Sequence, residues 1–220
     1  VGITHGDING VGYEVLLKAL GDIRIAELCT PVIYGSAKIA NFYRKGIELP
    51  DFRLFQIDSP DKAADEQINL INVVPEDCKV EPGQATQTAG QAALAALERA
   101  TADLRDGLID VLVTAPINKQ TIHSEAFNFP GHTEYLQKRL GEGREAMMIM
   151  CGGNLRVALV TIHDSIATVA AGITAKSVSD KLAAFNRSLT EDFGIHGPRI
   201  AVLALNPHAG DAGVIGSEET

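Results

Sequence analysis

The chain has 220 residues, 45% of them hydrophobic, and a formal net charge of −9, an ordinary globular composition large enough for one large α/β unit or two small ones. With no basic cluster, non-specific binding to nucleic acid or to an anionic membrane is disfavoured, and no apolar run reaches the roughly 18–20 residues that cross a bilayer. Cys29, Cys78 and Cys151 are far apart with no C-x-x-C, which argues against a disulfide framework or a thiolate zinc site and for reduced thiols in a cytoplasmic protein.

Val1 to Thr4 reads as a short strand, so no signal peptide is expected, and the chain reads as cut at both ends. His5-Gly-Asp-Ile-Asn-Gly-Val-Gly12 follows as a glycine-rich turn into a helix from Tyr13 to Leu20. Strand, turn and helix in that order can present backbone N–H groups to an anion. The spacing is not G-x-G-x-x-G, however, and Asp7 would repel a phosphate, so a tight turn with unusual backbone angles is an equal reading. Thr30–Tyr34 is a second strand, and Ser36 caps a helix that Gly46 ends. Phe52–Ile57 and Ile68–Val74 are further strands, separated by the polar segment Ser59–Gln67.

Gln87–Arg105 is an alanine-rich helix closed by Gly107, with Ala93, Leu94, Leu97, Ala100 and Leu104 recurring at three- and four-residue steps. Asp110–Ala115 reads as a buried strand with Asn118-Lys119 just beyond it. That lysine suits either an anionic substrate or a plain helix start. Asn128-Phe-Pro-Gly131 is a turn, after which Thr133 is expected to cap a helix from Glu134 to Leu140, with His132 just outside it. Gly152-Gly-Asn154 joins two strands, Ala146–Cys151 and Leu155–Ile162, into a hairpin that leads to His163. Val178, Leu182, Phe185, Leu189 and Phe193 form the apolar stripe of a helix closed by Gly194. Ile200–Leu205 is expected to be the last strand, delivering His208 into a loop with Gly210, Gly213 and Gly216. Glu218-Glu219 then reads as the first turn of a helix. The alternation argues for α/β architecture with a largely parallel sheet.

Six histidines are available for chemistry, and His163 and His208 share a pattern, each following an apolar run. If those runs are neighbouring strands, both imidazoles emerge at one edge. With an oxygen donor they would suit zinc, cobalt or nickel, magnesium being less favoured by nitrogen. His132 and Thr133 offer a ring nitrogen, a hydroxyl and the N–H groups of a helix start to a carboxylate or phosphate; a solvated cap is the alternative. No H-E-x-x-H, G-x-S-x-G or P-loop is present.

Taken together, Gly6-Asp-Ile-Asn-Gly-Val-Gly-Tyr-Glu14, Thr114-Ala-Pro-Ile-Asn-Lys119, Pro130-Gly-His-Thr-Glu134, His163, and Asn206-Pro-His-Ala-Gly210 with Gly216-Ser-Glu-Glu219 resemble the 4-hydroxythreonine-4-phosphate dehydrogenase family of vitamin B6 biosynthesis. The resemblance implies an isocitrate/isopropylmalate dehydrogenase-like α/β fold: two α/β/α subdomains with a cleft between them, divided here as residues 1–130 and 131–220. It implies NAD- or NADP-linked, metal-dependent oxidation of 4-phosphohydroxy-L-threonine, with decarboxylation to 3-amino-2-oxopropyl phosphate. A homodimer with a shared active site is implied as well. By the same resemblance His132 and Thr133 bind substrate, and His163 and His208 are two of three metal ligands, the metal being Zn, Co, Ni or Mg. The nucleotide-binding residues stay unassigned. D-erythronate or D-threonate 4-phosphate oxidation, or non-catalytic metal or phosphate binding, are the alternatives. The related motif reads G-D-P-A-G-I-G-P-E, and here Ile8 and Tyr13 replace its two prolines. Family members are longer, so the third metal histidine and the residues gripping the substrate phosphate are expected beyond Thr220, and the 220 residues alone are expected to be inactive.

Overall fold

A computed structural model of the chain describes residues 1–22, 24–47, 49 and 53–218. It divides into two compact units, Val1–Arg144 and Glu145–Thr220. The first contains β1 (Gly2–Thr4), α1 (Gly12–Leu20), α2 (Arg24–Leu28), β2 (Val32–Gly35), α3 (Ala37–Arg44), β3 (Leu54–Ile57), β4 (Ile68–Asn72), α4 (Gln87–Arg105), β5 (Leu112–Thr114), α5 (Lys119–Ile122) and α6 (His132–Leu140). Its five strands form one sheet in the order β3-β4-β2-β1-β5, every pairing parallel. This is the α/β architecture that the alternation of elements predicts, and the fold is isocitrate dehydrogenase-like.

Strand alternation sends neighbouring residues to opposite faces, and both faces are covered at β2 and β4. The edge strands leave Phe55 of β3 and Val113 of β5 about half exposed, so the run at Asp110–Ala115 is not the buried strand expected. Ile33, Ile68 and Leu70 pack with Leu16, Leu17 and Leu20 of α1 and Ile39 and Ala40 of α3. On the other face Val32, Tyr34 and Ile71 pack against Ala96 and Ala100 of α4. Each large aliphatic side chain buried in this way contributes roughly 1.5–3 kcal/mol. Small residues on α4 let the helix lie close to the sheet. At Gly90 the approach is closer still: a Cβ would meet the Thr121 carbonyl of α5 at 1.9 Å. Tyr34 and Asp103 are buried polar groups with partners: the Tyr34 hydroxyl donates to Asp103 Oδ2 (2.8 Å), whose carboxylate also accepts from Arg99 Nε (3.1 Å).

Helix boundaries follow the local signals closely. Ser36 caps α3 by accepting from Ile39 N, and Thr86 caps α4 by accepting from Ala89 N. The start of α6 differs from expectation. Its N-cap is Gly131, in extended backbone, so His132 and Thr133 are already helical and Thr133 is no cap. The compact units also divide later than residue 130. Tyr135 of α6 is buried with Phe127, Ile122, Ala93 and Leu97, which ties α6 to the first unit.

The second unit holds β6 (Ile149–Gly152), β7 (Leu155–Ala158), α7 (Ile166–Gly172) and α8 (Ala175–Glu191). The hairpin forms as predicted, antiparallel, with Gly152 opposite Leu155. A capping box starts α8: Ser177 N donates to Thr174 Oγ1 and Thr174 N donates to Ser177 Oγ. Phe185 and Leu189 of its stripe are buried, and the Arg156 guanidinium of β7 lies 5.2 Å from the Phe193 ring centre.

Two expected strands are corrected. β7 ends at Ala158, not Ile162, and Ile200–Leu205 is not a strand. A strand needs a hydrogen-bonded neighbour: beyond Ala158 the hairpin's backbone pairing ends with Leu159 N donating to Met148 O (3.4 Å), and among the described residues no strand pairs with Ile200–Leu205. Leu203 is accordingly 89% exposed. Phe52, expected to open β3, and Glu219, expected to open a helix, lie outside the described residues.

His5 sits at the end of β1 with no exposed surface, and neither ring nitrogen makes a hydrogen bond of ordinary geometry. Burial pushes its pKa down to about 4, and weak approaches to the Gly6 and Ala92 backbone offset only part of that cost. Between the unfolded value near 6.5 and about 4 the unfolded chain binds the extra proton, so stability falls as pH drops through that window and levels off below it. The expected loss is on the order of 3 kcal/mol. Urea unfolding of wild type and His5→Leu from pH 7 to 4 checks this: the wild-type midpoint should fall more steeply, and parallel curves would show that His5 is not the group responsible.

Candidate functional site

The sheet order changes direction at β1: the chain moves from β1 to β2 on one side and returns to β5 on the other. Loops at the carboxyl ends of two such strands diverge and leave a crevice, the usual ligand site of an open α/β sheet. Here the loops are His5–Val11 after β1 and Ala115–Asn118 after β5, joined by Ala115 N donating to Thr4 O (3.1 Å) and Asp7 N donating to Pro116 O (2.9 Å). Two glycines make the approach possible. Gly6 has φ +69°, and a Cβ there would lie 2.3 Å from Pro116 O; at Gly12 a Cβ would lie 2.1 Å from His5 O. No side chain caps α1 behind this loop. The Asn118 Oδ1 accepts from Gln120 N and Thr121 N, so Asn118 is the cap of α5 and Lys119 its exposed first residue.

His132 and Thr133 occupy the first two positions of α6. Tyr135 seats this helix against its neighbours, and Arg139 covers the Tyr135 ring from within the same helix. Tyr135 stacks on Phe127 (5.3 Å) and meets Phe129 edge-on (5.5 Å), and the Arg139 guanidinium lies 5.4 Å from the Tyr135 ring centre. The His132 Nε2 is buried and has no hydrogen-bond partner among the described residues. Burial holds its pKa below the usual histidine value, so the ring is neutral at pH 7. A neutral imidazole fixed at a helix start, with one nitrogen unsatisfied, is a hydrogen-bonding group awaiting a ligand.

The two expected metal ligands lie in the second unit. His163 is exposed, five residues beyond the end of β7. His208 is exposed in a short 3₁₀ turn, Pro207–Gly210. Among the described residues, the paired strands that would bring both imidazoles to one edge do not form, and no cluster of three or more His, Cys, Asp or Glu side chains could hold a metal. The donor chemistry of two reachable imidazoles fits a borderline divalent ion, but two are too few to close its coordination sphere.

The His208 turn carries an unusual backbone. From His208 to Gly213 every residue has positive φ: 55°, 53°, 77°, 46°, 55° and 92°. Two of the six are glycines; His208, Ala209, Asp211 and Ala212 bear the Cβ–carbonyl crowding that such angles impose. Hydrogen bonds from Asp211 N to His208 O, Gly213 N to Gly210 O and Ile215 N to Gly210 O hold the turn. Sequence reading placed the glycines here but could not show that their alanine and aspartate neighbours share the conformation.

Comparison with known proteins agrees with this architecture. The family model for pyridoxal phosphate biosynthetic protein PdxA matches residues 27–220. The chain belongs to that family. It is 51% identical over its full length to the 4-hydroxythreonine-4-phosphate dehydrogenase of Bacteroides thetaiotaomicron, covering 60% of that protein. It is 33% identical to the D-threonate 4-phosphate dehydrogenase of Cupriavidus necator, covering all of this chain and 66% of the relative. The crystal structure of a 4-hydroxythreonine-4-phosphate dehydrogenase from Klebsiella pneumoniae superposes with a TM-score of 0.86 at 29% identity, over 100% of this chain and 66% of that one. The chain thus spans about three-fifths to two-thirds of the length of these relatives.

The left-handed turn makes a prediction of unusual sign. Ala→Gly ordinarily destabilises, but Ala209→Gly should stabilise by roughly 0.5–1 kcal/mol, because relief of Cβ crowding exceeds the added freedom of the unfolded chain. Thermal unfolding of the variant decides it, and a lowered midpoint would show that the turn is unstrained.

Proposed function

We propose that the full-length protein containing this chain is a metal-dependent, NAD(P)-linked dehydrogenase that oxidises and decarboxylates 4-phosphohydroxy-L-threonine to 3-amino-2-oxopropyl phosphate. Membership of the PdxA family carries the reading, and the unsatisfied, buried Nε2 of His132 supports it at the level of a single atom. His132, neutral and rigidly held, donates or accepts one hydrogen bond to a polar group of the substrate, and Thr133 offers a hydroxyl beside it. Thr133 is free of a capping role, since Gly131 is the N-cap that starts the helix in extended backbone.

His163 and His208 would hold the divalent ion, Zn, Co, Ni or Mg, with a third ligand from outside this chain. When bound, the ion favours the alkoxide form of the substrate hydroxyl, and the nicotinamide accepts the hydride. The nucleotide is assigned to the crevice between the β1 and β5 loops. Asp7 there repels a phosphate and so suits ribose hydroxyls or the positive nicotinamide ring. We assign the working protein to the cytoplasm as a homodimer; among the described residues no helix is long and apolar enough to cross a membrane. D-threonate 4-phosphate is the second substrate to test, favoured by the Cupriavidus relative. It differs in a hydroxyl for the amino group, which few pocket contacts can distinguish.

Assay of the full-length protein for NAD(P)H formation with both phosphorylated acids tests the reading. Turnover of 4-phosphohydroxy-L-threonine, lost on chelation of divalent ions, is expected. Failure to oxidise either acid would remove the proposal. His132→Ala should raise the substrate KM about tenfold, as expected for one lost hydrogen bond to a charged ligand, with thermal stability unchanged or higher because the buried unsatisfied nitrogen is gone.

A further inference from the structure

The turn from β1 into α1 departs from the related motif at Ile8 and Tyr13, and the structure shows what takes the place of the prolines. Gly10 N donates to Asp7 O (3.1 Å) to close the turn, and Asn9 N donates to Asp7 Oδ1 (2.9 Å). Neither Ile8 nor Asn9 has positive φ. In a turn of this kind proline is favoured at the second position, which Ile8 occupies, because its ring pre-sets φ. Ile8 has no such ring. Its side chain is instead wholly buried in the core, and its carbonyl accepts a hydrogen bond from the Tyr43 hydroxyl of α3 (2.6 Å).

Tyr43 is itself held in place. Its ring stacks on Tyr13 (centroids 5.7 Å, 6° between planes), and Tyr13 stacks on His5 (5.2 Å, 17°). The Tyr13 hydroxyl accepts from Ser36 N at the start of α3 (2.8 Å). Three aromatic rings thus run from the end of β1 to α3, and the residue in place of the second proline is the middle one. Asn9 anchors the far side of the turn: its Nδ2 donates to Gln84 O (2.9 Å) and Thr86 Oγ1 (3.0 Å), and its Oδ1 accepts from Glu81 N (2.8 Å). A net hydrogen bond and a proline's restriction of the unfolded chain are of similar size, so one can replace the other.

We propose that Tyr43 is a positioning residue. Its hydroxyl, bonded to the Ile8 carbonyl and aligned by the stack on Tyr13, holds the Asp7–Gly10 turn in the shape that receives the nucleotide. The proposal rests on the assignment of the nucleotide to the β1–β5 crevice. Tyr43 makes no contact with the ligand; it acts through the turn.

Tyr43→Phe in the full-length protein keeps the ring stack and removes only the hydroxyl. Amide hydrogen exchange of residues 7–14 should quicken about threefold to tenfold, the effect of one ordinary hydrogen bond, with exchange elsewhere unchanged. The KM for NAD(P) should rise by a similar factor while kcat and the substrate KM stay within about twofold. Unchanged exchange in the turn overturns the proposal, and so does faster exchange spread over the whole chain, which would mark a merely structural tyrosine. Faster local exchange with an unaltered KM for NAD(P) overturns the positioning role as well. Titration of wild type with NAD(P) separates the two layers. Absence of dinucleotide binding sinks the nucleotide assignment, and local exchange in Tyr43→Phe still decides whether the hydroxyl sets the turn.

Discussion

The parallel pairing of β1 between β2 and β5 is the constraint on which the first unit depends. The strand is three residues long, yet both of its edges are hydrogen-bonded: Gly2, Ile3 and Thr4 stand opposite Val32, Ile33 and Tyr34 on one side and Leu112, Val113 and Thr114 on the other. That register puts the loop after β1 beside the loop after β5 and leaves them no room for side chains at Gly6 and Gly12. A shift of one residue would turn Ile33 and Tyr34 to the wrong faces and separate the loops. The core and the crevice therefore come from the same hydrogen bonds.

The loop is then held from several directions at little cost in flexibility. Tyr43 reaches it from α3, Asn9 ties it to the segment before α4, and Pro116 accepts from its Asp7 amide. His5 closes the end of the strand as a buried, neutral ring stacked on Tyr13, and its burial is a cost to stability in acid. The second unit draws less on burial. Phe185 and Leu189 are its buried apolar side chains among the described residues, whereas Ile166 is 97% and Val214 83% exposed. Caps, the Arg156–Phe193 contact and turn hydrogen bonds carry more of its local order.

Much of this was legible in the residues. The extent of α4 follows from its alanine and leucine steps, the cap of α3 from Ser36, and the hairpin from Gly152-Gly-Asn154. Local chemistry settled each of these. Short elements such as α2 and α5 left too few turns to show a period. At α6 the Thr133 hydroxyl looked like a cap, but Gly131 takes that place because the chain enters the helix two residues earlier. The family motifs singled out His132 and Thr133. That His132 Nε2 is buried and unsatisfied depends on how Tyr135 seats the helix among Phe127 and Phe129, residues whose packing no spacing rule reveals.

The runs before His163 and His208 show the boundary most clearly. Their β-branched and aliphatic residues determine an extended, apolar chain, and the sequence by itself goes that far. Whether such a chain is a strand is decided by a neighbour that accepts and donates its backbone hydrogen bonds. Leu155–Ala158 has one in β6, and Ile200–Leu205 has none among the described residues. The same division holds at the β1–α1 turn. Asp-Ile-Asn-Gly specifies that the backbone reverses there, because Asp, Asn and Gly favour a turn from within their own residues. Only the tertiary structure decides what keeps it reversed, since the Tyr43 hydroxyl comes from a helix thirty-five positions away.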